Sequence, residues 1–357
     1  MLGSFYQDKR VLVSGHTGFK GAWLCQMLLG MGARVSGYAL EPDTEPNLYS
    51  ILKLEKRLTG HVGDIGRYEE LLEQVQKQKP EIVIHMAAQP LVRTSYDDPI
   101  YTYQTNVMGT VHMLEAVRHC PSVRAAVMIT TDKVYENPED GHAFRENEPL
   151  GGYDPYSASK AADEIVISSY MRSFFNPKEK PAGPSSPIPL IASARAGNVI
   201  GGGDWSTDRL IPDIIRAKAA GRAVALRNPG SVRPWQHVLD PLYGYLLLGM
   251  RLHEGEGRVA GAYNFAPDEK QPITVEQIVR RAGAEYRVQP DPAKHEAHTL
   301  RLDAGKAKKE LGWKPQLGIE EGLAWTLDWY ARHAAGEDME SFTRAQIGQY
   351  LQRAEKK

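Results

Sequence analysis

The chain has 357 residues, with 43 Lys+Arg against 44 Asp+Glu and a formal net charge of −1. At roughly 150 residues per domain that is about two domains, and a chain of this length with 42% hydrophobic and 24% charged residues buries a sizeable core. No basic excess points to a nucleic-acid surface, no polybasic run points to an anionic membrane, and two cysteines, Cys25 and Cys120, are too few for a disulfide framework and fit a reducing compartment.

The start, residues 1–10, has no apolar core and carries Asp8, Lys9 and Arg10, so it does not read as a signal peptide. The longest apolar run, residues 243–250, falls far short of the ~20 residues of a membrane span. A cytoplasmic protein without nucleic-acid or membrane partners is expected.

Residues 10–14 are β-rich and short and stop before Gly15, which predicts a buried strand. Gly15-His16-Thr17-Gly18-Phe19-Lys20-Gly21 follows. Leu24, Met27, Leu28 and Met31 then recur at helical spacing on one apolar face, with Gly32 suited to the helix end. Strands are predicted at 34–40, 81–86, 125–130 and 190–195, with helices at 68–78 and 107–119 between them. Such alternation means a parallel sheet with helices on both faces. Residues 176–189 hold five prolines and read as an extended surface loop. After Asn198 the alternation weakens, with helices predicted at 210–220, 275–282, 304–311 and 320–335.

The glycine segment lies between a strand and a helix. Glycines let backbone N–H groups approach a pyrophosphate, and the helix N-terminus adds partial positive charge. A tight turn that binds nothing is the bland alternative. The fold expected is therefore α/β, a Rossmann-type doubly wound parallel sheet with a smaller α/β C-terminal substrate lobe. Residues 1–197 with 236–265 would form the dinucleotide-binding domain, 198–235 with 266–345 the second lobe, and 346–357 an exposed tail. Gly15, Gly18 and Gly21 would cradle the phosphates, with His16, Phe19 and Lys20 beside them. The second strand ends without an Asp for the ribose; Glu41 or main chain would serve instead. No arginine pair follows that strand, which favours NAD over NADP.

Tyr156 and Lys160 are four residues apart after Pro155, hence on one helix face. A phenol with a pKa near 10 is a poor base at neutral pH. A lysine one turn away, with a positive nicotinamide ring, would lower it, so that Tyr156 takes a hydroxyl proton. The alternative is an ordinary Tyr and Lys on an amphipathic surface. Thr131 stands at the end of the 125–130 strand, where open parallel sheets bind ligands, and its neighbour Thr130 faces the other way.

With these residues in place the chain resembles the extended short-chain dehydrogenases/reductases that act on nucleotide-activated sugars. The GxxGxxG spacing of Gly15, Gly18 and Gly21 is their form, and the likeness runs over nearly the full length. It includes Gly63-Asp64-Ile65, His85-Met86-Ala87-Ala88-Gln89, Thr105-Asn106-Val107-Met108-Gly109-Thr110, Tyr156 to Lys160, Arg195-Ala196-Gly197-Asn198 and Leu311-Gly312-Trp313-Lys314-Pro315. The resemblance implies that Asp64 and Ile65 flank the adenine, that Ala87, Ala88, Gln89 and Thr105 pass the cofactor, and that Asn198 contacts the sugar diphosphate. It is nearest to the sugar-nucleotide 4,6-dehydratases, whose strand-end Thr-Asp-Glu supplies acid and base. Here the triplet is Thr131-Asp132-Lys133, which resembles the CDP-glucose 4,6-dehydratases. The glycine segment and the run Ala87-Ala88-Gln89-Pro90-Leu91-Val92-Arg93 are similar to those enzymes as well.

The resemblance implies a nucleotide-sugar substrate, CDP-glucose, and NAD-mediated oxidation at C4. Water is then lost across C5 and C6, and hydride returns to C6. Asp132 would protonate the departing C6 hydroxyl, and burial would have to raise its pKa. Lys133 is a base if desolvated, an enolate stabiliser if charged, or a plain surface charge; Glu136 is a rival base. Arg209 and Arg233 are candidates for the diphosphate, with Arg93 and His237 as further substrate contacts. His295 and His298 have no acidic neighbours at ligand spacing, so no metal is expected. Relatives pair through helices beside the Tyr/Lys helix, which implies a homodimer or homotetramer.

Two other readings share this fold. A nucleotide-sugar 4-epimerase keeps Tyr156 and Lys160 but has no need of an acid after Thr131. A dinucleotide-sensing protein has no need of the Tyr/Lys pair.

Overall fold

The computed structural model describes residues 2–176, 188–268, 273–291 and 299–356. The hydrophobic segments read from the sequence become strands β1 (Arg10–Ser14), β2 (Arg34–Ala39), β4 (Ile82–His85), β5 (Ala125–Ile129) and β6 (Leu190–Ala196). Two more strands, β3 (Thr59–Val62) and β10 (Gly261–Phe265), close the edges. They escaped prediction because β3 is largely exposed and β10 mixes Tyr263 and Asn264 into its length, so neither shows an apolar run. Four short strands complete the set: β7 (Val199–Ile200) pairs with β9 (Gln236–His237), and β8 (Val224–Leu226) with β11 (Tyr286–Val288).

The seven-stranded sheet is parallel throughout and runs β10-β6-β5-β4-β1-β2-β3. Chain order therefore reverses direction between β1 and β4. Crossovers leave a crevice at the C-terminal ends of the strands there, which is where such sheets bind ligands. The central strands β4, β5 and β6 are buried on both faces, which is why they read as continuous apolar runs rather than alternating ones.

The helix after the glycine segment, Phe19–Gly30, is buried from Gly21 to Leu28 rather than along one face. The sheet covers one side, and the C-terminal helix Met339–Glu355 packs on the other. That corrects the expected exposed tail at 346–357: Ile347 and Tyr350 are buried, and the Tyr350 hydroxyl donates to Asp240 Oδ1 at 2.8 Å. The helix expected at 107–119 starts earlier. Pro99–Tyr103 runs on through one wide, π-type turn at Gln104–Met108 into Gly109–Arg118. The proline-rich segment 176–189 lies almost wholly outside the described residues, as do His295 and His298. Among the described residues no helix is long and apolar enough to cross a membrane.

Candidate active site

The crevice at the strand ends is a cleft of about 680 Å³ that runs from the glycine segment to the second lobe. At its base, β1 ends at Ser14 and the chain turns through Gly15 with φ +73°. A Cβ at Gly15 would sit 2.9 Å from the Ala87 amide nitrogen, and one at Gly21 would overlap the Gly15 carbonyl. The two glycines are thus fixed by close backbone approach. Gly18 caps the helix Phe19–Gly30 without a side-chain bond, which leaves its first N–H groups facing the cleft for an anion.

The opposite wall is pinned by buried polar side chains. Ser14 Oγ accepts from the Met86 and Ala87 amides and lies 2.7 Å from His85 Nδ1. Asn106 accepts from the Gln89 amide, and donates to the Gln89 carbonyl and to Ser159 Oγ. The Ala87-Ala88-Gln89 segment is therefore tied to the helix Pro155–Ser173, and all three residues line the cleft with Thr105. Asp64 and Ile65 line its far end, beside Glu41 and Tyr38, whose hydroxyl donates to the Asp64 carbonyl at 3.1 Å. These walls, with a glycine cradle at a helix N-terminus, suit a dinucleotide.

Of the residues expected beside the phosphates, Phe19 and Lys20 line the cleft. His16 does not. Its ring is buried under β2, in the space that a side chain at Gly37 would fill, and packs edge-on against Tyr49. Burial takes the imidazole down to about 4, so it is a neutral core residue there. Lys20 donates to the Tyr245 hydroxyl at 3.1 Å. Desolvation, then the Arg209 and Lys160 charges, bring its amine down to about 7.

The chemistry gathers at the ends of β5 and the start of the helix Pro155–Ser173. Thr131, Asp132 and Lys133 line the cleft opposite Tyr156 and Lys160. The Thr130 hydroxyl donates to the buried Glu164. The Thr131 hydroxyl donates to Asp132 Oδ1 at 2.9 Å, on the same cleft wall that Tyr156 faces. Asp132 is 2% exposed, its Oδ2 has no hydrogen-bond partner among the described residues, and burial raises its carboxyl. Tyr156 is raised as well: burial outweighs the pull of Lys160. In the chain alone, then, the lysine does not bring the phenol down. Lys160 points inward and donates to the Ile129 carbonyl at 3.1 Å and to Asp163 Oδ2 at 2.6 Å.

The second lobe closes the other side. Asn198, Arg209 and Arg233 line the cleft. Arg209 faces Asp204 at 3.8 Å, and Arg233 stands close enough to Asp132 to oppose the rise of its carboxyl. Arg93 also lines the cleft, held by Asp291 at 2.7 Å. His237 does not reach it. Its side chain is buried between Trp23 and Trp325, and burial takes the imidazole down to about 3, so it serves packing rather than substrate contact. Sequence reasoning missed Tyr245, which follows Lys20 by 225 positions and carries no local signal, and Asp163, which helical spacing from Tyr156 and Lys160 would have exposed. Among the described residues no group of acidic, His or Cys side chains forms a metal site.

The model of the GDP-mannose 4,6 dehydratase family matches residues 12–326. A CDP-glucose 4,6-dehydratase of Salmonella typhimurium is 48% identical over 98% of this chain and 98% of its own. Among solved structures, a dTDP-glucose 4,6-dehydratase of Streptomyces venezuelae with NAD bound is 25% identical, covers 90% of this chain and 97% of its own, and superposes with a TM-score of 0.76. A Thermus thermophilus UDP-glucose 4-epimerase in complex with NAD is 26% identical over 89% of this chain and 98% of its own, with a TM-score of 0.75.

Proposed function

The chain belongs to the GDP-mannose 4,6-dehydratase family of extended short-chain dehydrogenases/reductases, and on that premise we propose that it converts CDP-glucose to CDP-4-keto-6-deoxyglucose with NAD as cofactor. It is an enzyme, a hydro-lyase. The observation that carries this over the epimerase reading is the buried Asp132 placed beside Thr131 and Tyr156 in one cleft. An epimerase moves no water and has no use for an enclosed acid there. The Tyr156–Lys160 pair argues against a mere dinucleotide sensor.

Bound in the cleft, NAD supplies a hydride acceptor for C4, the donor of that hydride to C6, and the positive ring that a buried Tyr156 requires to act as a base. Tyr156 takes the C4 hydroxyl proton, and Thr131, in reach of the phenol, holds the same oxygen. The resulting 4-ketone acidifies the C5 proton. Asp132, whose carboxyl burial raises, gives its proton to the departing C6 hydroxyl. Lys133, next to Asp132 in the cleft, serves C5 either as the amine that removes its proton or as the ammonium that stabilises the enolate, and C5 takes a proton back as C6 is reduced. Over the cycle Tyr156 gains one proton and Asp132 loses one, so the pair must be reset after each turnover.

Arg209, Arg233, Arg93 and Asn198 are proposed for the nucleotide diphosphate, and Gly15, Gly18, Gly21, Phe19, Lys20, Asp64, Ile65, Ala87, Ala88, Gln89 and Thr105 for the dinucleotide. The division into 1–197 with 236–265 and 198–235 with 266–345 is proposed on the same basis. The near-neutral charge and reduced cysteines support a cytoplasmic setting without nucleic-acid or membrane partners. Exposed Ile165 on the Tyr156 helix, with Ile100 and Met108 on the segments packed beside it, supports a homodimer or homotetramer.

The test is a substrate panel read by mass spectrometry. Purified protein with NAD is given CDP-, dTDP-, UDP- and GDP-glucose separately. Loss of one water from CDP-glucose, without net reduction of NAD, is the expected result. Loss from another nucleotide sugar alone would discard the base assignment. No change of mass with any of them would point to the epimerase.

A further inference from the structure

Lys160 has a partner that the reaction as described leaves unused. Tyr156, Lys160 and Asp163 stand at i, i+4 and i+7 of the helix Pro155–Ser173, hence on one face. Asp163 is fully buried. Its Oδ2 accepts from Lys160 at 2.6 Å, and its Oδ1 has no hydrogen-bond partner among the described residues. The adjacent Glu164 is no substitute, because Arg195, Ser193 and Thr130 already donate to it. One buried carboxylate is thus committed to one buried ammonium.

We propose that Asp163 is a positioning residue for the reaction: it anchors Lys160 in its charged form one turn below the Tyr156 phenol. The proposal rests on the dehydratase reading only in assigning Tyr156 as the base. A fully buried ammonium without a counter-ion sheds its proton. With Asp163 present, attraction to the carboxylate keeps Lys160 charged against burial. Asp163 itself is pushed up to about 6 by burial and held from going higher by Lys160. The other groups facing the pair are Glu164 on the same helix, His85 at the end of β4 and Lys20 on the helix Phe19–Gly30; Asp132, Arg209 and Tyr245 face the phenol. Of these, Lys20 repels Lys160, so it cannot replace the carboxylate.

The sign of the effect separates this role from a simple neighbouring charge. If Asp163 were only a nearby anion, removing it would make the phenol easier to ionise. If it holds Lys160 charged, removing it neutralises the lysine and makes the phenol harder to ionise. Asp163→Asn, Asp163→Ser and Asp163→Glu are compared with the unchanged chain. Tyrosinate absorbance is titrated for each against the same variant carrying Tyr156→Phe, which isolates Tyr156 and needs no substrate. The pH profile of kcat/KM for CDP-glucose is measured in parallel with NAD. Asp163→Asn and Asp163→Ser should move the Tyr156 midpoint and the acid limb of the profile upward by about one pH unit, an about tenfold loss at neutral pH. Asp163→Glu should restore part of it. A midpoint that stays or moves down in folded variants overturns the proposal, as does loss of the fold in both uncharged variants. If the unchanged chain does not turn over CDP-glucose while the Tyr156 midpoint still moves up, the substrate assignment fails and the role of Asp163 stands.

Discussion

Thr131 and Asp132 are joined by a hydrogen bond of 2.9 Å from hydroxyl to carboxylate, in the cleft that Tyr156 also lines. The group that must take a proton and the group that must give one thus share one cleft. Asp132→Asn keeps the shape and removes the transferable proton. Oxidation at C4 should survive, seen as transient reduced NAD, while water loss falls by about a hundredfold or more. Unchanged water loss would remove Asp132 from the acid role.

Tyr156 lines the cleft with Thr131 on one side and Lys160 a turn below. Tyr156→Phe deletes only the phenolic oxygen. Turnover of CDP-glucose should fall by about 10²–10⁴-fold while its binding changes little. Turnover within a few-fold of the unchanged chain would mean another base.

Lys133 is separated into its two roles by Lys133→Met and Lys133→Arg. The methionine variant should slow elimination at least about tenfold. Arginine keeps a charge but cannot act as a base at neutral pH. Retained solvent-deuterium entry at C5 in Lys133→Arg assigns the electrostatic role, and its loss assigns the base. Normal elimination in both variants would make Lys133 a bystander.

Gly21 faces the Gly15 carbonyl across the turn, and any Cβ there would overlap that oxygen. Gly21→Ala should lower stability by about 1–3 kcal/mol and abolish the rise in Tm that NAD gives the unchanged chain. A variant that NAD still stabilises fully would show that the cradle has room to spare.

Asp240 is fully buried, accepts from the Gln316 amide and the Tyr350 hydroxyl, and is lifted to about 7 by burial. The fold therefore prefers its protonated form. That contribution is complete below the ordinary carboxylate range and is lost as pH rises through about 7. Asp240→Asn, a mimic of the protonated acid, should gain in Tm over the unchanged chain as pH goes from about 5 to about 8. A difference in Tm that is flat with pH would refute the assignment.

Much of the site could be read from residue order. Gly15, Gly18 and Gly21 mark a phosphate cradle because close approach tolerates no Cβ, and the Tyr156–Lys160 spacing is one helical turn whatever surrounds it. Arg10–Ser14, Ala125–Ile129 and Leu190–Ala196 were legible because strands buried on both faces must be apolar without a break. Where reading failed, packing from afar decided. His16 sits inside the glycine segment, yet its ring turns under β2 because Gly37 leaves the space. His237 lies in a basic, aromatic stretch, yet two tryptophans enclose it.

By itself the sequence determined which chemical groups are present and which share a strand end or a helix face, since those follow from the fixed geometry of the local backbone. The tertiary structure decided which of them face the cleft and which are core. It brought Tyr245 to Lys20 across 225 positions and laid Tyr350 on Asp240 across 110. Such meetings depend on how remote elements stack, and burial there, more than residue type, sets the protonation each group carries.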